Sequence, residues 1–96
     1  MNRQSALSAL ERCKPMLQAK YQVTRLGLFG SVARGEMREG SDVDVVIEME
    51  RPNLFLAANI KEELESIFQC PVDLVRYRER MNPMLKRRIE REAIYV

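Results

Sequence analysis

The chain contains no histidine and no tryptophan. The first absence excludes every mechanism that needs an imidazole base and every metal site that needs a histidine ligand. Aspartate is scarce as well: of fourteen acidic residues eleven are Glu and only Asp42, Asp44 and Asp73 are Asp. The two cysteines, Cys13 and Cys70, stand far apart and match no metal spacing. They suit a reducing cytoplasm as small apolar residues. No apolar run approaches the length of a membrane span, and the opening MNRQSALSALERCK lacks the hydrophobic stretch of a signal peptide. A cytoplasmic protein with no membrane attachment is expected. A dominant charge sign is also missing, because 16 basic residues against 14 acidic ones leave +2. That balance weighs against a nucleic-acid partner chosen by net charge.

What is present is a globular composition, 46% hydrophobic and 31% charged over 96 residues, expected to form one domain spanning residues 1–96. Such a domain buries one modest core and leaves little surface for a separate substrate-binding lobe. The charge is uneven: Arg76 to Arg91 holds seven basic residues against Glu79 and Glu90, a local net of +5. This segment reads either as a solvated helix face or as a docking patch for an acidic partner or RNA.

Leu7, Leu10, Leu17 and Tyr21 recur at helical spacing over about Ser5 to Tyr21, with Pro15 predicting a kink or a restart. Val23 to Phe29 (VTRLGLF) reads as a strand ending at a glycine, and Gly30 to Ser41 as a short helical turn followed by a loop. In Asp42 to Met49 (DVDVVIEM) Val43, Val45, Ile47 and Met49 share one strand face, while Asp42, Asp44, Val46 and Glu48 share the other. Asn53 caps a helix carrying Ala57, Ile60, Leu64, Ile67 and Phe68, which Pro71 ends. VDLVR (72–76) is a short strand. Asn82-Pro83 opens a last helix running to about Glu92, and AIYV (93–96) is a final strand. The alternation predicts a small α/β (α+β) fold, a mixed sheet with helices packed on one face.

Three pieces of this pattern carry chemistry. Asp42 and Asp44, two apart on a strand, project from the same face, and neighbouring carboxylates resist joint ionisation unless a cation lies between them. An oxygen-seeking divalent ion such as Mg²⁺ supplies it. Gly30-Ser31 follows a strand and opens a helical turn, where backbone N–H groups attract phosphate; Arg34, one turn on, adds a fork of donors. Asp73 sits in an apolar strand, and if that strand lies beside the Asp42 strand the three carboxylates converge. Each piece alone is common in turns and exposed strand starts; their occurrence together, in order, points to a two-metal phosphoryl-transfer site.

Residues 28–47, LFGSVARGEMREGSDVDVVI, resemble the motif of the nucleotidyltransferase superfamily to which DNA polymerase β belongs: Gly-Ser, a ten-residue gap (residues 32–41), then Asp-x-Asp. The Gly-Ser-x-Ala-Arg-Gly and Ser-Asp-x-Asp details are similar to the minimal nucleotidyltransferases of bacteria and archaea. The resemblance implies a polymerase β palm-like fold. It implies that Asp42, Asp44 and Asp73 bind two Mg²⁺ ions, with Asp73 also serving as base, and that Gly30, Ser31 and Arg34 hold the triphosphate of ATP. It further implies transfer of AMP to a tyrosine of a helical HEPN-domain toxin encoded nearby, with which the chain forms a hetero-oligomer and acts as antitoxin. Two alternatives stand beside this expectation. One is a vestigial site on a module that neutralises its partner by docking, through the basic stretch and Ile94-Tyr95-Val96. The other is nucleotidyl transfer to RNA or a small molecule.

Overall fold

The computed structural model describes residues 2–36 and 42–96. The expected loop after the Gly-Ser turn lies in part, at 37–41, outside the described residues. Helix α1 spans Arg3–Tyr21 and starts at a reciprocal cap, with the Ser5 N–H donating to Asn2 Oδ1 (2.8 Å) and the Asn2 N–H donating to Ser5 Oγ (3.0 Å). Ala6, Leu10, Cys13, Leu17 and Tyr21 form its buried face. The expected kink or restart at Pro15 is replaced by one helix running through it. The proline sits on the exposed side, and burial of Leu17 and Tyr21 beyond it offsets the missing hydrogen bond.

Strands β1 (Val23–Phe29) and β2 (Val43–Met49) pair antiparallel. Helix α3 (Leu54–Phe68), capped by the Asn53 side chain, crosses over to β3 (Val72–Arg76), which lies parallel to β2. A parallel partner requires such a crossover. α3 ends at Gln69, which takes the left-handed conformation (φ 56°), two residues before the expected stop at Pro71. The short helix α2 (Gly30–Ala33) follows β1 directly, and α4 (Pro83–Glu92) leads into β4 (Ile94–Tyr95), a shorter strand than expected, antiparallel to β1. The sheet is mixed, as the α/β reading predicts, and runs in the order β3-β2-β1-β4.

The two faces of the sheet are covered differently. Val43, Val45, Ile47 and Met49 of β2 join Leu26, Leu28 and Val72 against Leu10 and Leu17 of α1 and Ile60 and Leu64 of α3. The opposite face carries a smaller cluster, with Phe29 and Val46 closed over by Ile89 and flanked by Val75, Leu85 and Tyr95. The sequence pattern predicts helices on one face only. α1 and α3 obey that, whereas α4 lies on the other face, because Val46 and Val75 put apolar surface there that water would otherwise meet. Full burial of Ile89 there contributes about 1.5–3 kcal/mol. Among the described residues, no helix is long and apolar enough to cross a membrane.

Candidate active site

The register of the sheet assembles the site. Phe29 of β1 pairs with Asp44 of β2, and Asp44 pairs with Asp73 of β3. Directly paired residues point to the same face, so Phe29, Asp44 and Asp73 form one row across three strands. The adjoining row contains Val46 and Val75, which lie in the cluster under α4. The carboxylates therefore stand at the edge of the α4 face, on strands anchored from behind by the main core.

Gly30 is the first residue after that row. It has φ +75°, and a Cβ built on it would lie 2.0 Å from Asp44 Oδ2. Only a hydrogen fits between this backbone and the carboxylate, and the left-handed conformation also favours glycine. Ser31, half-buried, occupies the first turn of α2, whose N-cap residue Phe29 makes no side-chain capping bond. Arg34 closes α2, its N–H donating to the Gly30 carbonyl (3.1 Å). Its guanidinium bridges Glu36 through Nε (3.0 Å) and Glu92 of α4 through Nη1 (2.7 Å). Gly35, the residue after it, is left-handed as well, at φ +75°.

The carboxylates differ in setting. Asp44 is half-buried and its pKa is pushed up to about 6, first by burial, then by the facing charge of Asp73, with Asp42 adding and Arg88 opposing. Asp73 is exposed, and Asp42 stands exposed just before β2. The structure thus brings Asp44 and Asp73 together directly and leaves Asp42 at the margin, near enough for its charge to act on Asp44. Among the described residues no group of three His, Cys, Asp or Glu side chains closes on a common point. The donors are all carboxylate oxygens, and the charges of Asp73 and Asp42 disfavour ionisation of Asp44, which suits a hard divalent cation. Mg²⁺ takes one or two carboxylates, keeps several waters and shares substrate phosphates, so a pair with a third carboxylate alongside fits it without a closed cage.

Two concavities, of about 380 and 410 Å³, lie elsewhere, and neither is lined by Asp42, Asp44 or Asp73. The first runs between Leu54 and Arg76; the second lies beside Tyr77. Chemistry, not concavity, locates the site, where Asp42 and Asp73 are exposed.

Arg88 is a residue of the site that sequence reasoning misses. In the sequence it is one member of a basic run, yet its guanidinium carbon lies 5.6 Å from the Phe29 ring centroid and its charge acts on Asp44. A usable signal exists in the i,i+4 pair Arg88–Glu92 flanking the apolar Ile89.

A family model described as "Nucleotidyltransferase domain" matches residues 10–96. A Methanocaldococcus jannaschii protein assigned as a protein adenylyltransferase is 39% identical over 90 residues, 91% of this chain and 90% of that one. A solved structure assigned as a minimal nucleotidyltransferase superposes with a TM-score of 0.80 at 34% identity, covering 98% of this chain and 95% of the other. A Shewanella oneidensis complex of a tri-AMPylated HEPN toxin with its MNT antitoxin matches with a TM-score of 0.67 at 17% identity, covering 97% of this chain and 70% of that one, which is a likeness of fold alone. With a family match over most of its length and the Gly-Ser turn set against an aspartate pair, the chain belongs to the nucleotidyltransferase domain family and is a nucleotidyltransferase.

Proposed function

We propose that the chain transfers AMP from ATP to a hydroxyl, that of a tyrosine, on a helical HEPN-domain partner, and that this modification makes it the antitoxin of a cytoplasmic toxin–antitoxin pair. The observation that carries this reading is the row of Asp44 and Asp73 with Gly30 packed against it. The exposure of Asp42 and Asp73 supports a macromolecular acceptor that brings its own binding surface. The relative assigned as a protein adenylyltransferase and the AMPylated HEPN toxin in the fold neighbour support the choice of donor and acceptor.

In this mechanism the Gly30-Ser31 turn and the Ser31 hydroxyl bind the outer phosphates of ATP, and Arg34 adds donors beside them. Arg34 must loosen from Glu36 or Glu92 to do so. The acceptor oxygen attacks the α-phosphorus, and its proton passes to Asp73 directly or through water. The bond from the α-phosphorus to the bridging oxygen breaks, and pyrophosphate leaves. Two Mg²⁺ ions held by Asp42, Asp44 and Asp73 would supply the charge neutralisation that the triphosphate requires and would acidify the attacking hydroxyl. Asp44 acts in its ionised form, which a cation held by these carboxylates would favour against the repulsion of Asp73. No step needs an imidazole.

The test supplies purified protein, Mg²⁺ and the protein encoded beside it with ATP labelled at either the α- or the γ-phosphate. Label from the α-position is expected on the partner and none from the γ-position. Transfer of γ-label, or of none, would contradict the reading.

Neutralisation by docking alone is a second reading, favoured by Leu54 and Phe55, which are 87% and 83% exposed at the start of α3. An Asp42→Asn, Asp44→Asn double variant that still fully protects cells from the partner would favour it.

A further inference from the structure

The three arginines near the site differ in how their charge is met. Arg34 is held by two carboxylates, Glu36 and Glu92. Arg88 reaches only Glu92 among the described residues, through Nε at 3.5 Å, and that oxygen, Oε1, is the one Arg34 already binds at 2.7 Å. Arg91 meets the other oxygen of Glu92 at 3.9 Å. One carboxylate therefore serves three guanidinium groups. Among the described residues the terminal nitrogens of Arg88 make no hydrogen bond, and its side chain is 42% exposed.

The location of this underused fork is specific. Arg88 sits over Phe29, and Phe29 is both the cross-strand partner of Asp44 and the residue before Gly30. Glu92, whose side chain is only 12% exposed, ties the end of α4 to the end of α2 by holding Arg88 and Arg34 on one oxygen. Two guanidinium groups, one from the end of α2 and one from α4, thus gather on Glu92 close to Phe29. Arg88 lies on the side of the carboxylate row, where its charge acts on Asp44.

We infer that Arg88 is a second phosphate-binding cation of the nucleotide site and that Glu92 is the positioning residue that holds Arg88 and Arg34 together next to Phe29 and the start of α2. The ligand class is a nucleoside triphosphate, whose outer phosphates carry the charge that a fork of donors pairs with. A nucleoside monophosphate lacks those groups. The inference rests on the nucleotidyltransferase reading of the same site and adds to it a residue and a division of labour.

The experiment measures Mg²⁺-dependent affinity for ATP and for AMP by calorimetry, with wild type, Arg88→Ala, Arg88→Lys and Glu92→Gln. Arg88→Ala is expected to weaken ATP about tenfold or more, the scale of a lost charge-assisted contact, and AMP less than about twofold. Arg88→Lys recovers part of the loss because the charge remains without the fork. Glu92→Gln, followed as initial rates of label transfer to the partner, raises the KM for ATP more than it lowers kcat; an unchanged KM would overturn the positioning role. If Arg88→Ala binds ATP as wild type does, or loses ATP and AMP equally, the inference is wrong. A wild-type protein that binds no ATP overturns the underlying reading as well, so the two failures are told apart. Arg88→Lys keeps the apolar stem over Phe29, so a general folding defect in Arg88→Ala would not reproduce its ATP-selective pattern.

Discussion

Replacing Gly30 by alanine tests how tightly the fold couples the Gly30-Ser31 turn to the Asp44 carboxylate. Two costs arise. The backbone at φ +75° is unfavourable for any residue with a Cβ, by about 1–2 kcal/mol. The new methyl would also lie 2.0 Å from Asp44 Oδ2, where even a tight contact needs 3.0 Å, so the carboxylate must move by at least 1.0 Å. A shift of about 1 Å at a reacting centre costs on the order of 10²-fold in rate. Gly35 provides the control: it shares φ +75° but has nothing within 4 Å of a built Cβ. Gly35→Ala should therefore lose about 1–2 kcal/mol from the backbone alone, and Gly30→Ala at least as much, because the clash with Asp44 adds to it. In a domain of this size that lowers Tm by roughly 4–8 °C per kcal/mol. Only Gly30→Ala should lose AMP transfer by about two orders of magnitude. The assay pairs calorimetric Tm with initial rates of label transfer. Wild-type rates in Gly30→Ala, or equal losses of rate in the two variants, would refute the coupling of Asp44 to this turn.

Other expectations follow from the same geometry. The raised pKa of Asp44 means that its proton stabilises the fold fully below about pH 3.8, and that this stabilisation is lost as pH rises through about 6. Without divalent cation, Asp44→Asn should therefore be more stable than wild type at pH 7.5, by about 1 kcal/mol after allowance for solvent screening. It should be less so at about pH 4, as read from melting curves at the two pH values; a variant less stable at both would contradict the described repulsion. Mg²⁺ should raise the Tm of wild type more than that of Asp44→Asn. Asn82 Oδ1 accepts from the Met84 and Leu85 N–H groups, so Asn82→Ala should cost about 1 kcal/mol by denaturant titration. Ile89→Ala should cost about 2–5 kcal/mol on the same measurement, because it empties the contact that seats α4 on Phe29 and Val46.

Much of this arrangement is legible in the amino-acid sequence. Asn53 and Asn82-Pro83 mark two helix starts, and the alternation of DVDVV separates a core face from an acidic one. The resemblance of residues 28–47 leads to the family directly. Asp73 can be placed on a strand, but only the parallel register shows that it stands directly beside Asp44. Strand order is decided by which faces must be buried together, and a five-residue strand carries little of that information. The side chosen by α4 is hidden for a similar reason, although Val46 and Val75 on otherwise polar faces hint at it. The Arg34–Glu92 contact joins residues far apart in the chain, so no local pattern announces it. The run from Arg76 to Arg91 looks uniform because its residues differ only in what they face. Arg88 faces the carboxylate row, and Arg87 is solvent-exposed.

If the Asp44–Asp73 pair carries AMP transfer to a partner protein, the mass of that partner reports it most directly. The measurement is the mass of the proposed HEPN-domain partner after incubation with ATP, Mg²⁺ and either wild type, Asp44→Asn or Asp73→Asn. Wild type should add whole AMP residues, placed on tyrosine by fragmentation, and either variant should leave the partner unmodified. Modification at the wild-type rate by either variant would contradict the assignment of the pair.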